Sequence, residues 1–431
     1  MYSNPFSTNV LKSVVRAGDA GRYQIDLDTN FDEVVGNARE TILSSTLDLQ
    51  HQKIDIKNGR TLHLLEDYNA VLALRATARA IALAYKIRPR GRDNIVRGVL
   101  ESLFDSTPSS VLRCDFSSFY ENIEVGSIVD EILTNTKTHP HVREVLRKLQ
   151  EAAILDSKTA GIPRGLGLSA TLAELRMKQF DDAVRRLPNV YRYYRFADDF
   201  VIFSLKDTGS IVDDIKKIAG QDLKINLGKT IQHELFSNPD TEKKPCPTQP
   251  VEMDFLGYKF VVSTGIKTRK SRDIRVTLSN SKIGKRKSRI ILALKDFKAN
   301  KNQDLLMNRI QLLTSNMSIR RSGHSLGPRA TRVKTGIFYN YRACGTYRYS
   351  GSRPVKLPDR GIPELKALDG FLFSLLWRPN SQFNAEILRH LSEENKGRLR
   401  KLSFHRGFEK RMTVRFTRVA AADARRIWRH A

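Results

Sequence analysis

Cysteine is scarce. Only Cys114, Cys246 and Cys344 occur in 431 residues, with no paired spacing, which excludes a disulfide framework and a zinc knuckle and fits a reducing compartment. Long apolar runs are also missing. The best candidate, Ala70 to Tyr85, is interrupted by Arg75 and Arg79, so no membrane span is expected, and the first residues lack the charged-then-apolar pattern of a signal peptide. A cytoplasmic location without membrane contact is the expectation. Acids are the third shortage: 46 Asp and Glu stand against 74 Lys and Arg, leaving a net charge of +28. Such an excess points to a polyanion, because basic side chains displace counterions from phosphate backbones whatever the base sequence.

What is present is ordinary for a folded chain. Hydrophobic residues make up 40% and charged residues 28%, so neither overall disorder nor a membrane class fits. The length suits two to four structural units. Leu64 to Leu83 has helical periodicity and is rich in alanine, which predicts a core helix. The basic segment Lys86-Ile-Arg-Pro-Arg-Gly-Arg92 follows, and then a helix from Asn94 to Phe104 capped by Asp93 or Asn94. Val111 to Asp115 reads as a short buried strand, and Gly161-Ile-Pro-Arg-Gly165 as a turn leading into a helix from about Ser169 to Arg186. Tyr191–Phe196 and Phe200–Phe203 are aromatic, β-branched runs flanking Ala197-Asp198-Asp199, the pattern of a β-hairpin with acids at its tip. Ile211–Ala219 is expected as helix, Lys224–Leu227 as strand, and Phe255–Val262 as a further hairpin strand after the Pro-rich stretch Asn238–Pro250.

Composition changes near residue 262. Lys267 to Arg289 holds ten Lys or Arg and one acid, helical periodicity dominates from Arg289 onward, and Lys396 to Ala431 carries twelve Lys or Arg against two acids. The last segment interleaves Phe404, Phe408, Phe416 and Trp428 with its arginines, which predicts stacking on a structured RNA or docking of a partner subunit.

Three acids stand where strands end: Asp115, Asp198 and Asp199. An isolated Asp-Asp is most often a solvated turn. Two adjacent carboxylates facing a third repel one another unless divalent cations lie between them, and oxygen ligands suit Mg²⁺. Two such ions about 4 Å apart stabilise the attacking and leaving oxygens of a phosphoryl transfer.

The order of the surrounding segments moves the reading away from a plain turn, because the set resembles the reverse transcriptases. Asp115-Phe-Ser-Ser-Phe-Tyr120 is similar to their first catalytic motif, Gly161-Ile-Pro-Arg-Gly-Leu-Gly-Leu-Ser-Ala170 to their template-and-nucleotide loop, and Phe196-Ala-Asp-Asp199 to their Tyr-x-Asp-Asp box. Leu223-Lys-Ile-Asn-Leu-Gly-Lys-Thr230 resembles the following Lys-Thr segment, Phe255-Leu-Gly-Tyr258 the primer-grip hairpin, and the basic helices after Lys267 a thumb. The likeness covers about residues 60 to 345. Two positions depart from the family pattern: Arg164 stands where Gln is usual, and Phe196 where Tyr is usual. The Gly161–Glu174 stretch is most similar to the bacterial defence-associated (antiviral) branch. Leu313–Asn316, Gly336–Tyr341 and Phe404–Phe416 are similar to the smaller "a" polymerase of its type-three systems.

The resemblance implies an α/β right-hand polymerase of fingers, antiparallel palm and helical thumb with a basic C-terminal extension. Residues 1–85 would be an N-terminal region with part of the fingers, 86–262 fingers and palm, 263–345 the thumb and 346–431 the basic C-terminal region. It implies RNA-directed DNA synthesis from dNTPs in phage defence, copying a noncoding RNA into a DNA product with two Mg²⁺ ions (Mn²⁺ substituting), and a second reverse transcriptase subunit as partner. Asp115, Asp198 and Asp199 would be metal ligands. Lys229 would serve the departing pyrophosphate, although a lone Lys in such a turn is often merely solvated. Tyr120, five residues after Asp115, would clash with a 2′-hydroxyl and so select deoxynucleotides, with Phe119 filling the core. Phe116, Arg164 and Gly165 would line the nucleotide. Arg92, with Arg88 and Arg90 as rivals, would clamp the triphosphate. Gly161 and Pro163 would approach the template, Gly257 and Tyr258 the primer, and Lys282, Lys285 and Lys287 the duplex backbone. Two other functions stay open: a template-independent or protein-primed polymerase on the same fold, and a non-catalytic RNA-binding scaffold.

Overall fold

A computed structural model describes residues 4–16, 18–56, 59–105, 109–155, 161–205, 209–235, 250–262, 273–320, 332–350, 353–357 and 361–428. Cys246, nearly all of the Pro-rich stretch before residue 250, and Lys267 to Arg272 lie outside these residues. The chain forms two compact units, the first drawn mainly from residues 1–236 and the second mainly from residues 237–431.

In the first unit, helices Thr8–Val14, Asp19–Tyr23 and Phe31–Leu43 precede a hairpin of β1 (His51–Ile56) and β2 (Arg60–Leu65). The alanine-rich helix therefore starts later than its periodicity predicts, at Tyr68, where the Asp67 side chain accepts from the backbone N–H groups of Asn69 and Ala70. Leu64 and Leu65 belong to β2. This helix, Tyr68–Ala84, buries Arg75, whose guanidinium donates to Asp19 at 2.6 and 3.1 Å while the Tyr68 hydroxyl donates to the same carboxylate at 3.0 Å. The next helix spans Arg92–Leu103, two residues ahead of the expected start.

The four-stranded antiparallel sheet of this unit has the order β4-β5-β3-β6, with β3 Ser109–Asp115, β4 Val190–Phe196, β5 Asp199–Ser204 and β6 Ile231–Leu235. Val111, Leu112, Cys114 and Phe200 to Phe203 are buried, so both faces of the central strands are covered, here by helices such as Ser169–Arg185. The stretch 224–227 is not the fourth strand. It makes one bridge, Ile225 to Phe116, and then a 3₁₀ turn at Leu227–Lys229, because the Asn226 N–H is spent on the Asp115 carbonyl (2.8 Å) and its carbonyl accepts from Lys229 N–H (3.1 Å).

The second unit contains a five-stranded antiparallel sheet of order β13-β12-β9-β8-β7, formed by β7 Val251–Phe255, β8 Tyr258–Val262, β9 Ile274–Leu278, β12 Gly345–Ser350 and β13 Arg353–Lys356. A smaller sheet joins β10 (Asn316–Arg320) to β11 (Arg332–Gly336) and to β14 (Thr413–Val414). Helices Asn280–Asn300 and Gln303–Thr314 follow the predicted periodicity, and Pro363–Trp377, Phe404–Glu409 and Arg418–Arg426 lie in the C-terminal part. The buried Asn316 side chain ties this part down, donating to the carbonyls of Gly407 and Met412 (both 3.1 Å) and accepting from Phe338 N–H (2.8 Å). Phe404 and Phe408 are core residues rather than stacking platforms. Trp428 is nearly buried as well, its indole N–H donating to the Arg289 carbonyl at 3.2 Å.

Each unit is thus a mixed α/β arrangement of mainly antiparallel sheets and helices. Among the described residues no helix is long and apolar enough to cross a membrane.

Candidate active site

β3 and β5 pair so that Asp115 lies directly opposite Asp199, and the two-residue link Ala197–Asp198 joins Phe196 to Asp199 at the same end of the sheet. Register alone therefore brings together the three acids singled out in the sequence. The Phe116 N–H donates to the Asp198 carbonyl at 3.1 Å, fastening the turn to the end of β3. Ala197 has a left-handed backbone (φ 55°), a costly conformation for a residue with a side chain. Arg195 holds it there, donating to the Ala197 carbonyl at 3.0 Å while its other donors engage Glu174 (2.7 and 2.9 Å) and Asp181 (2.7 and 2.9 Å). Burial alone would lower the Arg195 pKa, but bonds to these two carboxylates hold it above the usual arginine value.

Each of two acids already has a cation. Asp115 is 2.6 Å from Lys229 Nζ, and Asp199 accepts from Arg113 at 3.1 and 3.4 Å. The compensation is incomplete. Burial pushes Asp199 up to about 6, Arg113 opposes the rise, and the charges of Asp115 and Asp198 add to it. Asp198 is raised too, first by burial and then by Asp115, against Arg164 and Lys229. Excess negative charge on carboxylate oxygens at one sheet end is the setting in which a hard divalent cation binds, so the donor chemistry suits Mg²⁺. Among the described residues no three His, Cys, Asp or Glu side chains converge on one point. With Asp199 committed to Arg113, Asp115 and Asp198 are the pair best placed to change partners.

The loop expected to carry template and nucleotide packs against this end of the sheet. Gly161 (φ 88°) has no room for a side chain: a Cβ would lie 2.6 Å from the Glu121 Cα and 2.7 Å from the Tyr120 carbonyl. Ile162 N–H donates to that same carbonyl at 2.6 Å. At Gly165 (φ 98°) a Cβ would meet the His63 carbonyl at 2.4 Å, and the His63 N–H donates to the Arg164 carbonyl at 2.8 Å, which wedges the loop against β2. Pro163 is buried, its carbonyl accepting from the Ser169 hydroxyl.

Arg164 is not a free cation awaiting a ligand. Its guanidinium binds Glu121 at 2.5 and 3.1 Å and lies 4.7 Å from the centre of the Tyr120 ring. The Glu121 bond raises the Arg164 pKa, and the same bond lowers that of Glu121. Tyr120 is half-buried beneath it, while Phe119 packs in the core as expected. Phe116 departs from expectation. Its ring is buried among Phe119, Phe180 and Phe200, so only its backbone reaches the site. Of the three rival arginines, Arg88 and Arg90 are exposed and Arg92 is half-buried at the start of its helix.

Gly257, Tyr258 and the three lysines belong to the second unit. Leu256 (φ 50°) and Gly257 (φ 79°) form the two-residue turn between β7 and β8, a geometry that favours glycine. Tyr258 is wholly buried and its hydroxyl donates to the Asn340 carbonyl at 3.3 Å, so its ring braces the unit from inside and presents no face to a primer. Lys285 and Lys287 are exposed and Lys282 half-buried on helix Asn280–Asn300.

Arg113, Arg195, Glu174, Asp181 and Glu121 escaped the sequence reading. Arg113 could have been found, since residues two apart on a strand share a face and it sits two before Asp115. The others meet through tertiary packing that no local pattern encodes.

Residues 87–260 match the family described as reverse transcriptase (RNA-dependent DNA polymerase). The match covers about two-fifths of the chain, and it makes this segment similar to the reverse-transcriptase domain, the catalytic domain of RNA-directed DNA polymerases, which are nucleotidyltransferases. No curated protein sequence matches the chain. Solved structures similar to it include the apo telomerase from Candida tropicalis truncated from its C-terminal domain, at 10% identity and a TM-score of 0.34 over 53% of this chain and 54% of that one. They also include the apo telomerase from Candida tropicalis, at 10% identity and a TM-score of 0.35 over 64% and 58%. A third is the telomerase from Candida albicans in complex with a TWJ fragment of telomeric RNA, at 12% identity and a TM-score of 0.31 over 49% and 38%. The chain thus spans between about two-fifths and three-fifths of these relatives.

Proposed function

We propose that this chain synthesises DNA on an RNA template, joining dNTPs to a primer 3′-oxygen with release of pyrophosphate. The observation that carries the reading is the junction of β3 with the β4–β5 turn, where Asp115, Asp198 and Asp199 share one sheet end and two of them have raised pKa values. A scaffold that only binds RNA gains nothing from acids that repel its ligand. Bound divalent cations, two Mg²⁺ or Mn²⁺, would lower the charge on the primer oxygen and on the departing phosphates.

The chain's own residues supply position. Asp115 and Asp198 would hold the ions, and Arg113 keeps Asp199 ionised beside them. Lys229, 2.6 Å from Asp115 and otherwise largely exposed, would serve the departing pyrophosphate as a charge partner. Tyr120, fixed under Arg164, would stand beside the sugar and exclude a 2′-hydroxyl. The exposed Lys285 and Lys287, with Lys282, would track the duplex backbone. Antiviral defence with a noncoding RNA template and a second polymerase subunit is the biological setting we infer, on the Gly161–Glu174 stretch of the loop. The test is incorporation of labelled dNTP by the parent and by Asp198→Ala/Asp199→Ala. The double variant should lose incorporation by at least about a thousandfold while it still melts cooperatively and keeps its RNA affinity. Undiminished incorporation would refute the assignment.

A further inference from the structure

Inside the second unit lies a cavity of about 400 Å³ to which Lys282, Lys285, Arg286, Arg289 and Arg425 contribute, and no carboxylate lines it among the described residues. The cations come from two directions, four from helix Asn280–Asn300 and one from helix Arg418–Arg426. The three arginines make weak contacts. Arg286 lies 5.3 Å from the Tyr341 ring centre and Arg289 lies 5.7 Å from that of Trp428, while Arg425 donates to the Met317 sulfur, a weak acceptor, at 2.8 Å. The Nε atoms of Arg286 and Arg289 are buried with no hydrogen-bond acceptor among the described residues. Burial lowers the pKa of both Arg286 and Arg425, and repulsion from Arg289 lowers each further.

Folding a chain around unpaired guanidinium groups costs stability unless something bound there repays it. We propose that this cavity is a binding site for the linked phosphates of a nucleotide, either the 5′-triphosphate end of an RNA strand or a free nucleoside triphosphate. Guanidinium forks match phosphate oxygens in pairs. One phosphate carries at most about two charges, fewer than Arg286, Arg289 and Arg425 supply, so a run of phosphates suits the site better. The volume is at the small end of ligand pockets, which fits a nucleotide-sized group. Leu312, Leu313 and Trp428 give it apolar walls against which a sugar or base can lie. A continuous backbone needs an exposed row instead, and Lys285 and Lys287 already offer one on the same helix.

Binding is measured on the full-length protein in EDTA, so that the result is read apart from any polymerisation. The probes are inorganic tripolyphosphate, ATP, and one labelled RNA prepared with a 5′-triphosphate or a 5′-hydroxyl. Saturable tripolyphosphate binding is expected, weakened at least tenfold in Arg286→Gln and in Arg425→Gln. Tighter binding of the triphosphate RNA than of its hydroxyl twin, by tenfold or more, identifies the strand end as the source; equal RNA binding with competition by ATP identifies the free nucleotide. A thermal melt separates loss of the site from loss of fold: without ligand, Arg286→Gln should melt no lower than the parent, because it removes an unpaired buried charge. Absence of saturable tripolyphosphate binding by the parent, or binding unchanged in both variants, overturns the proposal.

Discussion

Asp199 makes the electrostatics of this sheet end measurable without any catalytic assay. Its carboxyl titrates at about 6 in the folded chain against an ordinary 3.8, and its side chain is 17% exposed, so solvent screens it little. A raised acid pKa means that the native state binds the proton more tightly than the unfolded state does. The favourable contribution is present below 3.8 and is lost as pH rises through about 6. At about 1.4 kcal/mol per pKa unit the full cost above that pH is on the order of 3 kcal/mol. Asp199→Asn removes this titration and keeps an oxygen acceptor for Arg113. The variant and parent should melt together near pH 4, diverge between pH 4 and 6, and above pH 7 differ by several degrees, with the variant higher, since a unit of this size moves about 2–4 °C per kcal/mol. Adding Mg²⁺ at pH 7.5 should raise the parent and close part of the gap. A difference that does not change between pH 4 and 7 would refute the assignment of excess negative charge to this sheet end.

The remaining expectations concern the loop and the sugar. Tyr120→Ala should raise the kcat/KM ratio of an rNTP to its matching dNTP by at least tenfold, because it removes the ring proposed to exclude a 2′-hydroxyl; an unchanged ratio would return Tyr120 to a packing role. Gly161→Ala should destabilise the chain by about 1–3 kcal/mol and lower incorporation, since φ of 88° and a 2.6 Å approach to Glu121 leave a methyl no place, as a denaturant melt would show.

The carboxylates and the loop were legible because they break a rule: acids at the end of an apolar strand, and glycines where a turn needs positive φ. Other features were hidden for identifiable reasons. The hairpin β1–β2 and strand β6 are largely solvent-facing, so their sequences lack the period-two alternation that announces a half-buried strand. The expected strand at 224–227, Lys-Ile-Asn-Leu, has the alternation of a strand, but the Asn226 N–H is taken by the Asp115 carbonyl and the next residues form a 3₁₀ turn, a choice made by tertiary contact. Arg164 read as an approaching cation because nothing in the sequence shows that Glu121 lies across from it. The aromatic residues of the C-terminal segment looked like an RNA platform from their basic neighbours, yet Phe404 and Phe408 fill the core. Interleaved charge says that a surface is near, not which way a ring points.

Template-directed incorporation tests the central claim most directly. A primer annealed to a defined RNA is offered single dNTPs with Mg²⁺, and the products of the parent are sequenced beside those of Asp198→Ala/Asp199→Ala. Extension by the complement of the RNA, absent from the double variant, is the result the account predicts. Products whose sequence ignores the RNA, or equal extension by the variant, would contradict it.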